Sequence, residues 1–216
     1  VVLYVPKGVG SKPPMMITLH GTHGVAKNMI QSSYAKSLAD SKKVLIASPQ
    51  ARKLPFGDWD NHYPNDVYWE TYPSVDPTKN PDLLLIQAIL VELQKAYNVD
   101  PKRIYTLGHS NGGFFSILVA MTLNSKIAAF AANSSGLVKC AKMQDCSFSG
   151  SGTSCAALAK KSGYKSCASK CTGAEKPGSI VTSGRKPPGY VAHSSDDGTI
   201  SVYYACTLSS RMSSLG

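Results

Sequence analysis

The sequence predicts an α/β fold, a mostly parallel sheet with helices on both faces. Three observations carry this expectation. Short apolar runs alternate with helix-length amphipathic segments through the first 138 residues and resume near residue 190. One such run leads directly into a glycine-rich turn and then an apolar helix. The chain has 216 residues, 43% hydrophobic and 17% charged, which suits one sizeable core rather than two.

The elements follow in order. VVLYVPKG reads as a strand already in progress, ended by Pro6 and Gly8; with no positively charged leader before it, it is not an intact signal peptide. Met15–Leu19 (MMITL) is a short buried strand, followed by the turn His20-Gly21-Thr22-His23-Gly24. Residues 28–41 carry Met29, Ile30, Tyr34, Leu38 and Ala39 at helical spacing. VLIAS at 44–48 is the next strand, and Pro49 ends it. Residues 51–80, rich in Pro, Asn, Asp and aromatics, read as a long loop. Pro81–Tyr97 repeats Leu, Ile and Val at helical spacing, with Pro81 in the first turn. Strands are expected at 104–107, 128–132 and 190–192, an apolar helix at 114–123, and a helix-like stretch at 201–212.

Residues 139–187 interrupt this alternation. They are rich in Ser, Gly, Lys and Cys and read as an insertion at the sheet's rim within a single domain spanning 1–216. Cys140, Cys146, Cys155, Cys167 and Cys171 crowd there, and Cys206 stands apart. No C-x-x-C pair and no His accompanies them, so zinc is a poor fit and disulfides are expected, their pairing open. Disulfides place the protein in an oxidising compartment, most simply outside the cell.

The net charge is +10. The basic residues form no tract and no aromatic-basic motif, so the charge reads as solubility rather than nucleic-acid binding. No apolar run approaches the roughly 18 residues that span a bilayer, and no membrane partner is expected. A monomer without metal is expected.

Gly108-His109-Ser110-Asn111-Gly112 matches G-x-S-x-G in the context that pattern needs, strand before and helix after, with a further glycine at Gly113. A sharp strand-to-helix turn lifts a serine hydroxyl out of the sheet, and the helix N-terminus aims N–H groups at developing negative charge. Ser110 is therefore the candidate nucleophile. A second oxyanion donor belongs on the loop after an earlier strand, and LHGTHG follows MMITL there. The backbone N–H groups of Thr22 and Asn111 are the candidate pair. Asn133-Ser134-Ser135 is formally a glycosylation sequon, but it follows a buried strand and no glycan is expected.

LHGTHG, YNVDPKRIYTLGHSNGG and HSSDDGTISVYYA together resemble the polyhydroxybutyrate depolymerase and feruloyl esterase-like group of carbohydrate-esterase-type hydrolases. The likeness covers most of 1–138 and 188–206, with the Cys-rich insertion outside it. It implies an α/β-hydrolase fold, a Ser-Asp-His triad and no metal or organic cofactor. The substrate it implies is a feruloyl or acetyl ester of plant polysaccharide, or a short hydroxyalkanoate polyester. Its His-Gly-x-x-Asp pattern maps the triad acid onto Asp197, with Asp196 as the alternative.

The base is the difficulty. His20, His23, His62, His109 and His193 are the five histidines, and none follows Asp197, where chain order requires it. The complete protein is expected to continue past Gly216 and supply that His. Otherwise the chain is a non-catalytic, hydrolase-like polysaccharide-binding module. Residues 56–72 hold Phe56, Trp59, His62, Tyr63, Tyr68, Trp69 and Tyr72. Trp59 and His62 are candidate substrate contacts, whereas Tyr68 and Trp69 are expected to pack the loop onto the sheet.

Overall fold

A computed structural model describes residues 1–31, 33–55, 64–71, 78–175 and 184–215. Six strands form one sheet in the order β1-β3-β2-β4-β5-β6. They are β1 Val2–Tyr4, β2 Met15–Leu19, β3 Leu45–Ser48, β4 Ile104–His109, β5 Ala129–Asn133 and β6 Gly189–Ala192. All neighbours run parallel except β1 and β3. The helices are α1 Ala26–Gln31, α2 Ser33–Lys42, α3 Pro81–Tyr97, α4 Asn111–Thr122, α5 Cys155–Leu158, α6 Ser162–Lys170 and α7 Val202–Ser214.

Local chemistry explains the main boundaries. Asn80 caps α3, its side-chain oxygen accepting from the N–H groups of Asp82 and Leu83, with Pro81 at the first helical position. Asn98 closes the same helix in the left-handed conformation. Helix α4 is buried from Asn111 through Met121, so its apolar residues need no polar face. It packs between β4, β5 and a core that includes Ile17, Leu19, Ile86, Leu90 and Phe130.

Helices α1 and α2 cover the stretch expected to be helical at 28–41, apart from Ser32, which lies outside the described residues. Two details differ from the expected elements. Helix α4 begins at Asn111 rather than 114, because Gly112 and Gly113 pack within its first turn instead of preceding it. The Cys-rich stretch contains α5, α6 and a 3-10 turn at Met143–Asp145, whose lysine- and serine-rich faces gave no apolar period to read.

Three disulfides hold that stretch: Cys140–Cys171, Cys146–Cys167 and Cys155–Cys206. The first two close within it, and the third joins α5 to α7. The cysteines of the first two sit in a second core with Phe114, Val138, Tyr203 and Tyr204, whereas Cys206 packs with Leu158 and Val202. Among the described residues no helix is long and apolar enough to cross a membrane.

Candidate active site

The C-terminal ends of the parallel strands β2, β4, β5 and β6 lie along one edge of the sheet. Loops leaving that edge converge, as ligand-binding loops do in open α/β sheets.

Ser110 stands between β4 and α4 with φ 54° and ψ −126°, backbone that L-residues rarely adopt. Such a conformation costs about 1–3 kcal/mol and persists only where the surroundings enforce it. Here the Ser110 N–H donates to the Asn133 carbonyl at 2.9 Å. The Ser110 carbonyl accepts from Gly113 and Phe114 at 2.8 and 3.1 Å. Its side chain makes no capping bond to the helix, so the hydroxyl is not used as a cap.

The glycines make the turn possible. A Cβ at Gly108 would lie 1.9 Å from the Gly112 carbonyl oxygen. One at Gly112 would lie 2.2 and 2.3 Å from the carbonyl oxygens of Leu19 and His20. One at Gly113 would meet the Ser135 hydroxyl oxygen at 2.4 Å. The start of α4 is therefore pressed against the loop that follows β2.

That loop is held from several sides. A Cβ on Gly21 would sit 3.2 Å from Ser110 Cβ, so the turn lies beside the serine. The Gly21 carbonyl accepts from Gly24 N–H at 2.9 Å and from His20 Nδ1 at 2.7 Å. His20 is buried, and its Nε2 accepts the Ala51 N–H at 3.1 Å, which leaves Nδ1 as the donor to Gly21. Burial holds this imidazole below its ordinary pKa, so it is neutral. In a trans peptide the N–H points opposite the C=O, so fixing Gly21 O also fixes the direction of Thr22 N–H.

Asn111, the other expected oxyanion residue, is buried, and its side chain is engaged. Its Oδ1 accepts from Trp69 N–H at 2.7 Å and its Nδ2 donates to Trp69 O at 3.2 Å. Trp69 Nε1 donates to the His20 carbonyl at 2.8 Å. Sequence reading took Trp69 for loop packing and missed this role. The bonded partners lie 42 and 49 residues apart, and no local pattern signals them.

Asp197 lies in the loop after β6. Its Oδ1 accepts the N–H groups of Thr199 and Ile200, both at 2.9 Å. Partial burial pulls its pKa up, but those N–H groups, the nearby His193 and the Ser134 side chain outweigh it and hold the carboxyl below its ordinary value. Asp196 is exposed and bonds the Ser194 hydroxyl.

Four of the five histidines are described, and each has another partner. His20 holds Gly21, and His23 pairs with Asp66 at 2.9 Å. His109 Nδ1 lies 3.3 Å from Asn133 Nδ2, and His193 Nδ1 bonds the Ser194 carbonyl at 2.8 Å. His62 and Trp59 lie outside the described residues. Tyr68 and Trp69 are fully buried. Asn133 is exposed, whereas Phe130 and Ala132 before it in β5 are buried. Among the described residues no group of three His, Cys, Asp or Glu is placed to hold a metal. A cavity of about 670 Å³ lies between β6, α5 and α7, lined by Val191, His193, Leu158 and Met212; no residue of the Ser110 turn lines it.

Comparison with known proteins adds to this geometry. A family model described as Esterase matches residues 1–170. The match runs into the Cys-rich stretch, further than the sequence motifs suggested. The chain is 26% identical over 129 residues to a bifunctional acetylxylan esterase/xylanase of Neocallimastix patriciarum, covering 60% of this chain and 17% of that one. It is 28% identical over 131 residues to feruloyl esterase B of Neurospora crassa, covering 61% of this chain and 42% of that one. The chain thus spans less than half the length of these curated relatives. Among solved structures, the acetyl xylan esterase from Aspergillus awamori superposes with a TM-score of 0.61 at 16% identity, over 94% of this chain and 69% of that one. The likeness establishes an α/β-hydrolase fold.

Proposed function

The chain belongs to the Esterase family, and from that premise we propose that it hydrolyses carboxylic esters with Ser110 as nucleophile. The observation that carries the proposal is Ser110 itself. Its backbone is held at φ 54° while its hydroxyl caps nothing. Strain of this kind at a sharp strand-to-helix turn is what a nucleophile elbow requires.

In the proposed reaction Ser110 Oγ attacks the ester carbonyl carbon and its proton passes to an imidazole. The backbone N–H groups of Thr22 and Asn111 bind the oxyanion. Collapse expels the alcohol, which takes the proton, and water then releases the acid from the acyl-enzyme by the same steps. Asp197 orients the imidazole and stabilises its charged form. Its lowered pKa supports this role, since the carboxylate must stay ionised. No described histidine is committed to Ser110, so the base comes from elsewhere in the protein.

The names of the two curated relatives favour an acetyl or feruloyl ester as substrate, and the motif resemblance adds a short hydroxyalkanoate polyester. The three disulfides favour an extracellular site of action. A panel of methyl ferulate, acetylated xylan and hydroxybutyrate oligomers tests the substrate. Release of acid from at least one, abolished by Ser110→Ala, is expected. Tight polysaccharide binding without acid release from any of them would favour a binding module.

A further inference from the structure

Resting on the reading of Ser110 as nucleophile, we propose that the Asn111 carboxamide and the Trp69 indole form one positioning device that sets the spacing of the two oxyanion donors. Those donors belong to residues far apart in sequence. Strands β2 and β4 are in register as far as Leu19 and Gly108; β2 ends there, and His109 of β4 pairs only with Asn133 of β5 before the chain turns into α4. Something else must fix the loop at 20–24 to the start of α4.

Three hydrogen bonds do so through one residue. Asn111 grips the Trp69 backbone twice, accepting its N–H at 2.7 Å and donating to its carbonyl at 3.2 Å. The indole of the same Trp69 then donates to the His20 carbonyl at 2.8 Å. One residue separates that carbonyl from Thr22. The indole cannot swing, because it lies parallel to Phe115 of α4 at 5.1 Å and tilted against His20 at 5.2 Å. Both side chains are buried, Asn111 at 2% and Trp69 at 0% exposure, so water does not compete for these bonds. Both carbonyls of the 20–21 segment are thereby held, His20 O by Trp69 and Gly21 O by the His20 ring and Gly24 N–H.

Stability alone does not call for this arrangement, since apolar groups of similar shape often fill a core equally well. Oxyanion donors do call for it. They act within a few tenths of an ångström, and a misplacement of about 1 Å costs on the order of a hundredfold in rate. Asn111 thus acts twice: its N–H is the donor, and its side chain places the partner donor.

The test uses the full-length protein with Trp69→Phe, which keeps a ring against Phe115 and His20 but loses the indole N–H, and Asn111→Leu as a second variant. Ester hydrolysis is measured per active site titrated with a fluorophosphonate, together with the rate of labelling. Ser116→Ala, which removes buried hydrogen bonds to Thr106 and Ala131, controls for lost stability and is expected to lower Tm with kcat unchanged. We expect kcat per titrated site and the labelling rate to fall together by about fivefold or more in both variants, with KM within about threefold. A smaller fall per site, a change confined to KM, or a loss explained by fewer titratable sites overturns the inference. A wild-type protein that neither turns over nor labels overturns the nucleophile itself.

Discussion

At the scale of single residues, the site is defined by where side chains are forbidden. A Cβ at Gly112 would lie within 2.3 Å of two backbone oxygens, and backbone cannot rotate aside as a side chain can. Gly112→Ala is therefore expected to lower stability by about 3 kcal/mol or more and to abolish activity, read by urea unfolding and ester hydrolysis. A stable, active variant would mean that the loop at 20–24 does not rest on α4. The two adjacent aspartates separate in the same way. Asp197→Asn is expected to reduce kcat by up to about ten thousandfold, whereas Asp196→Asn leaves it within about threefold. The reverse order would make Asp196 the triad acid. The strand-turn-helix setting of Ser110 was legible because it lies in a short motif whose geometry is local. The Asn111–Trp69–His20 chain was not, because its hydrogen bonds join segments that no sequence period relates.

At the scale of elements, the sequence pattern was readable where apolar side chains bury the element. Met15–Leu19 and Pro81–Tyr97 fall on their expected bounds because buried Ile17, Leu19, Ile86 and Leu90 recur at strand and helix spacing. In α5 and α6 the order rests on disulfides rather than on an apolar face, and a covalent link leaves no period in the sequence. Cys155–Cys206 is the bridge that ties this stretch to α7 across 51 residues. Replacing both cysteines with serine is expected to cost about 2–4 kcal/mol of stability, measured by urea unfolding with the other two bridges intact. No loss of stability would mean that α7 holds its place without the bridge.

At the scale of the whole molecule, burial of neutral His20 couples folding to pH. Its ring meets Gly21 O, Gln50, Ala51 N–H and Trp69, none of them charged. The folded pKa is below the unfolded one, so the unfolded chain binds the proton first as pH falls below about 6.5. This contribution to stability is present above that pH and is lost on acidification. Burial raises the carboxyl pKa values of Glu70 and Asp82, which gives the opposite slope above about pH 4. Comparing the urea midpoints of wild type and His20→Gln between about pH 7 and 5 isolates the histidine part, and a shallower acid loss is expected in the variant. Identical slopes would mean that His20 titrates alike in both states. The mostly parallel α/β fold was readable from strand–helix alternation, and the family from its motifs, the Ser110 turn among them. No triad histidine was readable, since none follows Asp197 among the five in the sequence. The most direct test of the account is covalent labelling of the full-length protein with a fluorophosphonate, mapped by peptide mass spectrometry. The account predicts one adduct, on Ser110, absent from Ser110→Ala; no adduct, or one that persists in Ser110→Ala, would contradict it.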